Sequence, residues 1–422
     1  MANPGKITEV LELDVPDIRT SGSSLQTAFD RILQTLIPRR KEMDLLQNTH
    51  PSSQKPHPEI ASPSFYYIFS LFSGILETGA VVSGYCQFGF FGGIGLALAY
   101  QLGCLIRNPF HLSLQGALYI LGGSVLALLF LGIDHLGWAI GCVALLSGAI
   151  QSSREWLLAE LPPVSLVRKR FVRVLGFSVG IFAGWACPLE TLLLSLAICA
   201  LFLLCFGGFH FPQVPWINWH HGVRSDRFGI VMLFHQIHYF AYAYYLLLLF
   251  VSSGNQDAVP TWMSTLIATG WFAAGWVSYI SGEALLSNIL CLPSWKACIV
   301  GHVWVSLCLL MMANSVHHPF LLGMFWVLGG FGGGSVYAIK DTAKAYRCKA
   351  DMELWEHLGH VAGVLVTLIA LYIDPLAFSM PFILALASAV MTIVLFSRAI
   401  AQNPCDMKID TRKTPKSIRH GS

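Results

Sequence analysis

Between residues 64 and 398, long apolar runs alternate with short polar stretches, and the runs are continuous rather than alternating residue by residue. Twelve are found, at 64–85, 88–107, 113–133, 135–154, 171–187, 188–208, 229–252, 261–281, 296–315, 319–339, 357–373 and 377–398. A membrane-crossing helix needs about 17–25 apolar residues, which each run supplies. A membrane β-barrel would instead show short segments with a two-residue period. The pattern predicts an all-α polytopic membrane protein of twelve transmembrane helices. Glycine clusters such as FFGGIG at 90–95 and GGFGGG at 329–334 fit helices in close backbone contact, the usual packing in lipid.

The basic residues then orient the chain. Arg107 follows span 2, and Arg154, Arg168, Lys169, Arg170 and Arg173 lie between spans 4 and 5. Arg224 and Arg227 follow span 6, Lys296 separates spans 8 and 9, and Lys340, Lys344, Arg347 and Lys349 link spans 10 and 11. The other connections (YCQF, GIDH, CP, SSGNQDAVP, SVHHP and YIDP) hold no Lys or Arg. All 26 basic residues therefore fall on one predicted side, which the positive-inside rule makes the cytoplasm. Both termini are expected there.

The predicted organisation is a leader over 1–63, a six-helix bundle over 64–208, a central loop over 209–228, a second bundle over 229–398 and a basic tail over 399–422. Within the leader, Leu25, Ala28, Phe29, Ile32, Leu33 and Leu36 form a helical apolar stripe ended by Pro38 and followed by Arg39-Arg40-Lys41. An amphipathic helix is expected over about 24–37, either on the inner membrane face or packed on the protein's own loops.

Composition narrows the function classes. The chain is 55% hydrophobic and only 12% charged, about half the charged fraction of a soluble domain, so a soluble protein is excluded. A net charge of +3 gives no reason to expect nucleic acid as a partner. The eleven cysteines form no C-x-x-C pair and sit mostly inside apolar runs, as small packing residues do. No P-loop, G-x-S-x-G elbow or His-x-x-His-His box occurs, so an ATP-driven pump, a hydrolase and a membrane di-iron enzyme lack their core motifs.

An internal echo divides the chain. Span 4 ends GAIQSSREW at 148–156 and span 10 ends GSVYAIKDT at 334–342. In each, a glycine precedes by six residues a base followed at once by an acid, Arg154-Glu155 and Lys340-Asp341. With six spans on each side of the central loop, this suggests two parallel six-helix halves. On these features the region 64–398 resembles the major facilitator superfamily. The loop signature is reduced: Gly103-Cys-Leu-Ile-Arg107 after span 2 and Gly282-Glu283…Trp295-Lys296 after span 8.

The resemblance implies alternating access around a midplane site lined mainly by spans 1, 4, 7 and 10, with charges at the cytoplasmic ends latching the inner gate. It suggests Arg107 opposite Glu356, Glu283 opposite Arg170 or Arg173, and Arg154 and Lys340 as further gating charges. Glu77 is the only acid deep inside a span, and an ionised carboxylate there costs several kcal/mol unless paired or hydrated. It is expected to couple a proton or hold a cation. His235 and His238 in span 7 share a helical face with Met232 and are candidates for proton handling. Tyr239, Tyr242 and Tyr245, with Trp326 in span 10, are candidates for substrate contact. His302 in span 9 is read as a lone packing or hydrogen-bonding residue. No metal site or cofactor is assigned, because one helix supplies too few ligands.

The expected function is secondary transport of a small solute, coupled to protons, by a monomer in a lipid bilayer, the bacterial inner membrane first among them. With no base deep in a span, a neutral solute, a cation or a siderophore-like metal chelate is expected rather than a simple anion. Two other readings stay open: a histidine-based haem or metal enzyme, and a sensor or assembly factor that kept the fold.

Overall fold

The computed structural model describes residues 63–106, 121–126, 135–160, 166–206, 227–252, 260–286, 290, 292–345, 352–374 and 378–401. The predicted leader helix, the central loop up to residue 226, most of span 3, Arg107 and the tail beyond 401 lie outside the described residues. The helices are α1 (Pro63–Ile106), α2 (Leu136–Glu160), α3 (Leu166–Ala186), α4 (Leu189–Phe206), α5 (Arg227–Phe240) and α6 (Ala243–Val251). They continue with α7 (Trp262–Ala284), α8 (Ser294–Asn314), α9 (Pro319–Gly333), α10 (Ser335–Ala345), α11 (Met352–Ile373) and α12 (Met380–Ala401). The described residues form helices and no strand.

These elements are not the predicted spans one for one. Spans 1 and 2 run together as α1, bent at Gly89 with φ 68° and ψ −165°. That left-handed conformation costs a residue with a Cβ but not glycine, and the space around Gly89 is open. Span 7 is split into α5 and α6 at Ala241-Tyr242, where the Thr367 hydroxyl of α11 donates to the Ala241 carbonyl. A broken helix inside a membrane is tolerated where neighbours satisfy the freed backbone groups in this way. Span 10 is divided at Gly334, between α9 and α10.

Six of the described helical stretches are long and apolar enough to cross a membrane, the first of them, Ser64–Leu105, running 42 residues. Their outward faces are apolar: Val300, Val303, Trp304, Leu307, Leu310 and Met311 are exposed along α8. Water would penalise such a face and hydrocarbon would not. The protein is a multi-pass membrane protein.

Close glycine contacts set the helix pairs. On α3, a Cβ at Gly176 would stand 2.5 Å from the Leu71 carbonyl oxygen, and one at Gly180 would stand 2.6 Å from that of Ile75, both on α1. On α11, a Cβ at Gly359 would lie 2.7 Å from the Leu233 carbonyl, and one at Gly363 2.9 Å from that of Ile237, both on α5. Two glycines four apart thus rest on two carbonyls four apart in each case, and the pattern recurs from Gly176 and Gly180 to Gly359 and Gly363. The second arm of α1 packs on α2 through Gly103 and the Ser147 hydroxyl, which donates to the Tyr100 carbonyl at 3.1 Å. On the other side of the chain α7 and α9 pack through Gly282 and Gly330.

Candidate functional site

The glycine contact between α1 and α3 lets two charged side chains meet. Glu77 is buried on α1, one turn beyond Ser73, and its Oε2 accepts from Arg173 Nη2 at 2.7 Å. Its Oε1 accepts from the Tyr244 hydroxyl on α6 at 2.7 Å, and the Gln101 amide of α1 donates to that same hydroxyl. The acid is therefore the centre of a four-residue network drawn from both sides of the chain. Arg173 is the partner that sequence reasoning missed, having grouped it with the basic loop before span 5. The helix begins at Leu166, so Arg173 lies two turns inside it and one turn before Gly176. The expectation that no base reaches into the bundle is corrected accordingly, although the pair as a whole is neutral.

Beside this network lies an aromatic cluster. Tyr239 on α5 packs edge-on to Trp276 with ring centres 5.5 Å apart, and contacts Tyr242 and Trp326 at 5.9 and 6.0 Å. Trp326 stacks on Phe272 at 5.9 Å, and its indole occupies the slot left open by Gly275. Phe177 of α3 packs on Trp276 at 5.0 Å, and Phe90 of α1 on Tyr245 at 5.8 Å. The structure thus brings all four predicted substrate-contact residues into one cluster that touches both sides of the chain. The hydroxyls of Tyr239 and Tyr245 and the indole nitrogens of Trp276 and Trp326 are buried without hydrogen-bond partners. Each such group costs about 1–3 kcal/mol, and they sit within one cluster.

The histidines form a third group. His235 and His238 on α5 meet His302 on α8, with ring centres 4.9, 5.0 and 5.4 Å apart. His302, read as a lone packing or hydrogen-bonding residue, does hydrogen-bond but is not alone: its Nε2 lies 2.8 Å from His235 Nδ1. No sequence periodicity links residues 67 apart on two helices, so only packing reveals the third ring.

Of the predicted gating residues, Lys340 and Glu356 meet each other. Glu356 accepts from Lys340 Nζ at 2.6 Å and from Gln236 Nε2 at 3.2 Å, all three within 227–373. Arg170 crosses between α3 and α10, its guanidinium carbon 4.1 Å from the centre of the Tyr337 ring. Arg154 is half-buried on α2. Arg107 and the side chain of Glu283 lie outside what is described. At the other end of α3, Trp185 Nε1 donates to the Pro260 carbonyl at 3.1 Å. A variant with Tyr337→Ala should lose about 0.5–1 kcal/mol of the Arg170 contact, and Tyr337→Phe should keep most of it. Spin-label distances between α3 and α10 check this, the Ala variant shifting toward the longer separation.

Known structures resemble this architecture. No family model matches the chain, and no curated protein matches it. Among solved structures, that of the nucleoside transporter NupG superposes with a TM-score of 0.55 at 15% identity, over 80% of this chain and 97% of that one. The xylose transporter XylE from E. coli, in a partially occluded inward-open conformation, gives 0.53 at 12% identity, over 80% and 99%. A bacterial metal transporter gives 0.50 at 13% identity, over 80% and 98%. XylE and NupG are major facilitator superfamily transporters, and the chain has the fold of that superfamily.

Proposed function

We propose that the protein is a secondary transporter that carries a small solute by alternating access, with proton coupling at Glu77. The reading includes twelve spans in two parallel six-helix halves, both termini in the cytoplasm, and a monomer in a bacterial inner membrane. The observation that carries it is the carboxylate of Glu77 held at once by Arg173 from one half and by Tyr244 from the other. A charge-assisted hydrogen bond contributes about 1.5–3 kcal/mol, and a neutral one about 0.5–1.5. Protonating Glu77 therefore loosens the Tyr244 clasp by about 1 kcal/mol and frees Arg173 from its counter-charge. The two halves are then less strongly joined at that point, which is what a coupling proton must accomplish.

The solute fits between the halves among the rings of Tyr239, Tyr242, Tyr245 and Trp326. Stacked rings with unused hydroxyl and indole donors suit a solute that is flat or ring-bearing and offers acceptor oxygens or nitrogens. A neutral or cationic molecule, or a metal chelate, meets this better than a simple anion, because Glu77 already occupies Arg173. The solved neighbours named for a pentose and for nucleosides are consistent with that class. Arg170 on Tyr337 supplies the closing contact of the inner gate, with Lys340 and Glu356 bracing the second half beside it.

The test is accumulation of sugars, nucleosides and metal chelates by cells with and without the protein at two external pH values. One solute should show pH-dependent transport in the wild type. Glu77→Gln should abolish the pH dependence, with concentrative transport falling at least about tenfold. Unchanged pH-dependent transport in Glu77→Gln would remove that residue from the mechanism.

A further inference from the structure

Among the described residues, the three-histidine cluster shares no hydrogen bond with Glu77 or Arg173 and is not used by the transport reading. His235, His238 and His302 are each at most 1% exposed, and one ring nitrogen from each falls within 4.8 Å of the others. His302 Nδ1 lies 2.7 Å from the Cys298 carbonyl, which can only accept, so that nitrogen carries the proton. Its Nε2 is then the bare nitrogen and accepts from His235 Nδ1. The ring of His302 is thereby fixed in tautomer and direction by a backbone carbonyl, the arrangement that metal-ligating imidazoles ordinarily have. No hydrogen bond of good geometry reaches His238 Nδ1. Three polar rings buried with so few bonds are costly unless something else satisfies their nitrogens.

From this geometry we infer that His235, His238 and His302 bind one first-row transition-metal ion. Metal–imidazole bonds of about 2.0–2.1 Å in a tetrahedral array place the ligand nitrogens about 3.3 Å apart. The present spacing, 2.8 Å for one pair and at most 4.8 Å overall, reaches that by small ring rotations. His235 passes its Nδ1 proton to Nε2 as its Nδ1 turns to the metal, so the ring stays neutral. A set of imidazoles alone selects against magnesium and calcium, which require oxygen ligands. With no carboxylate in the set to balance charge, a monovalent ion is the less costly to bury, and copper(I) is favoured over zinc.

The ion is a resident of the fold rather than the transported solute. Both α5 and α8 belong to the region after the predicted central loop, so the rocking invoked by the transport reading keeps the three ligands together. The metal ties α8 to the helix that carries Tyr239 and leads directly into Tyr242, Tyr244 and Tyr245.

The test uses the full chain purified without a polyhistidine tag and reconstituted in lipid nanodiscs. Cu+ under reductant and Zn2+ are offered separately, free ion is removed by desalting, and retained metal is measured by mass spectrometry. The wild type should retain about one Cu+ per chain, with a melting temperature several degrees higher than without metal. His238→Gln, which keeps a polar side chain of similar length, should retain at least about tenfold less and lose the metal-dependent rise. X-ray absorption of the loaded wild type should show imidazole nitrogen scatterers and no sulfur. Retention of less than about 0.1 ion per chain for both metals would overturn the proposal. So would equal retention by His238→Gln, or sulfur-dominated coordination; the spectrum decides the matter even if the variant fails to fold. Zinc retained in preference to copper would overturn the assignment of the ion. None of these readouts depends on transport, so the site and the transport reading can fail separately.

Discussion

Arg173→Leu should destabilise the folded protein by about 2–4 kcal/mol, measured by thermal or denaturant unfolding in detergent. Removing one partner of a fully buried ion pair costs about 3–5 kcal/mol, because the other charge is left without compensation. Here the carboxylate side chain is 3% exposed while the guanidinium side chain keeps 32%, which trims the figure. The stranded charge is the Glu77 carboxylate. Glu77→Gln alone should cost less than Arg173→Leu, since a partly exposed Arg173 can turn toward water. The double variant Glu77→Gln, Arg173→Leu should recover most of the lost stability while remaining uncoupled in transport. Strict additivity of the two single costs would show that the residues do not interact in the folded state.

Gly180→Val should be as severe, by a different route. A Cβ at Gly180 already lies 2.6 Å from the Ile75 carbonyl, on a backbone that cannot step aside as a flexible side chain can. Overpacking of this kind costs about 1–3 kcal/mol and at times more, and here the displaced helices also carry Glu77 and Arg173. The folded yield should fall sharply, and the surviving protein should show the same transport defect as the ion-pair variants. Gly141→Ala on α2, where an added Cβ meets nothing within 4 Å, is the control and should behave as wild type. A fully active, stable Gly180→Val would mean that α1 and α3 are not in backbone contact.

Several features of the fold are legible in the amino-acid pattern alone. The apolar runs mark where helices form, and the boundary between the first two runs falls within three residues of the kink at Gly89. A short polar stretch and a glycine suffice to signal that bend. The split of span 7 is not legible there. Residues 229–252 read as one continuous apolar helix, and at the break the Ala241 carbonyl accepts from Thr367, more than a hundred residues away. The GxxxG spacings at 176–180 and 359–363 are visible in the sequence, yet their equivalence emerges only when each is seen resting on a pair of carbonyls four residues apart.

The candidate site divides in the same way. Glu77 stands out because hydrocarbon penalises any charge, so one acid in a long apolar run is conspicuous without knowledge of its neighbours. Tyr239, Tyr242, Tyr245 and Trp326 stand out as polar aromatics in membrane runs. What those groups contact is a tertiary matter. Arg173 reads as a loop base until the helix start at Leu166 carries it inward, and His302 reads as solitary until α8 packs against α5. By itself, the sequence determined the membrane environment, the helical class and the identity of the buried acid, since each follows from the transfer energy of single residues. Only the tertiary structure decided the partners of that acid, the third imidazole and the contact of Arg170 with Tyr337. Such pairings depend on how closely glycine faces let separate helices approach, and that distance is a property of two surfaces together.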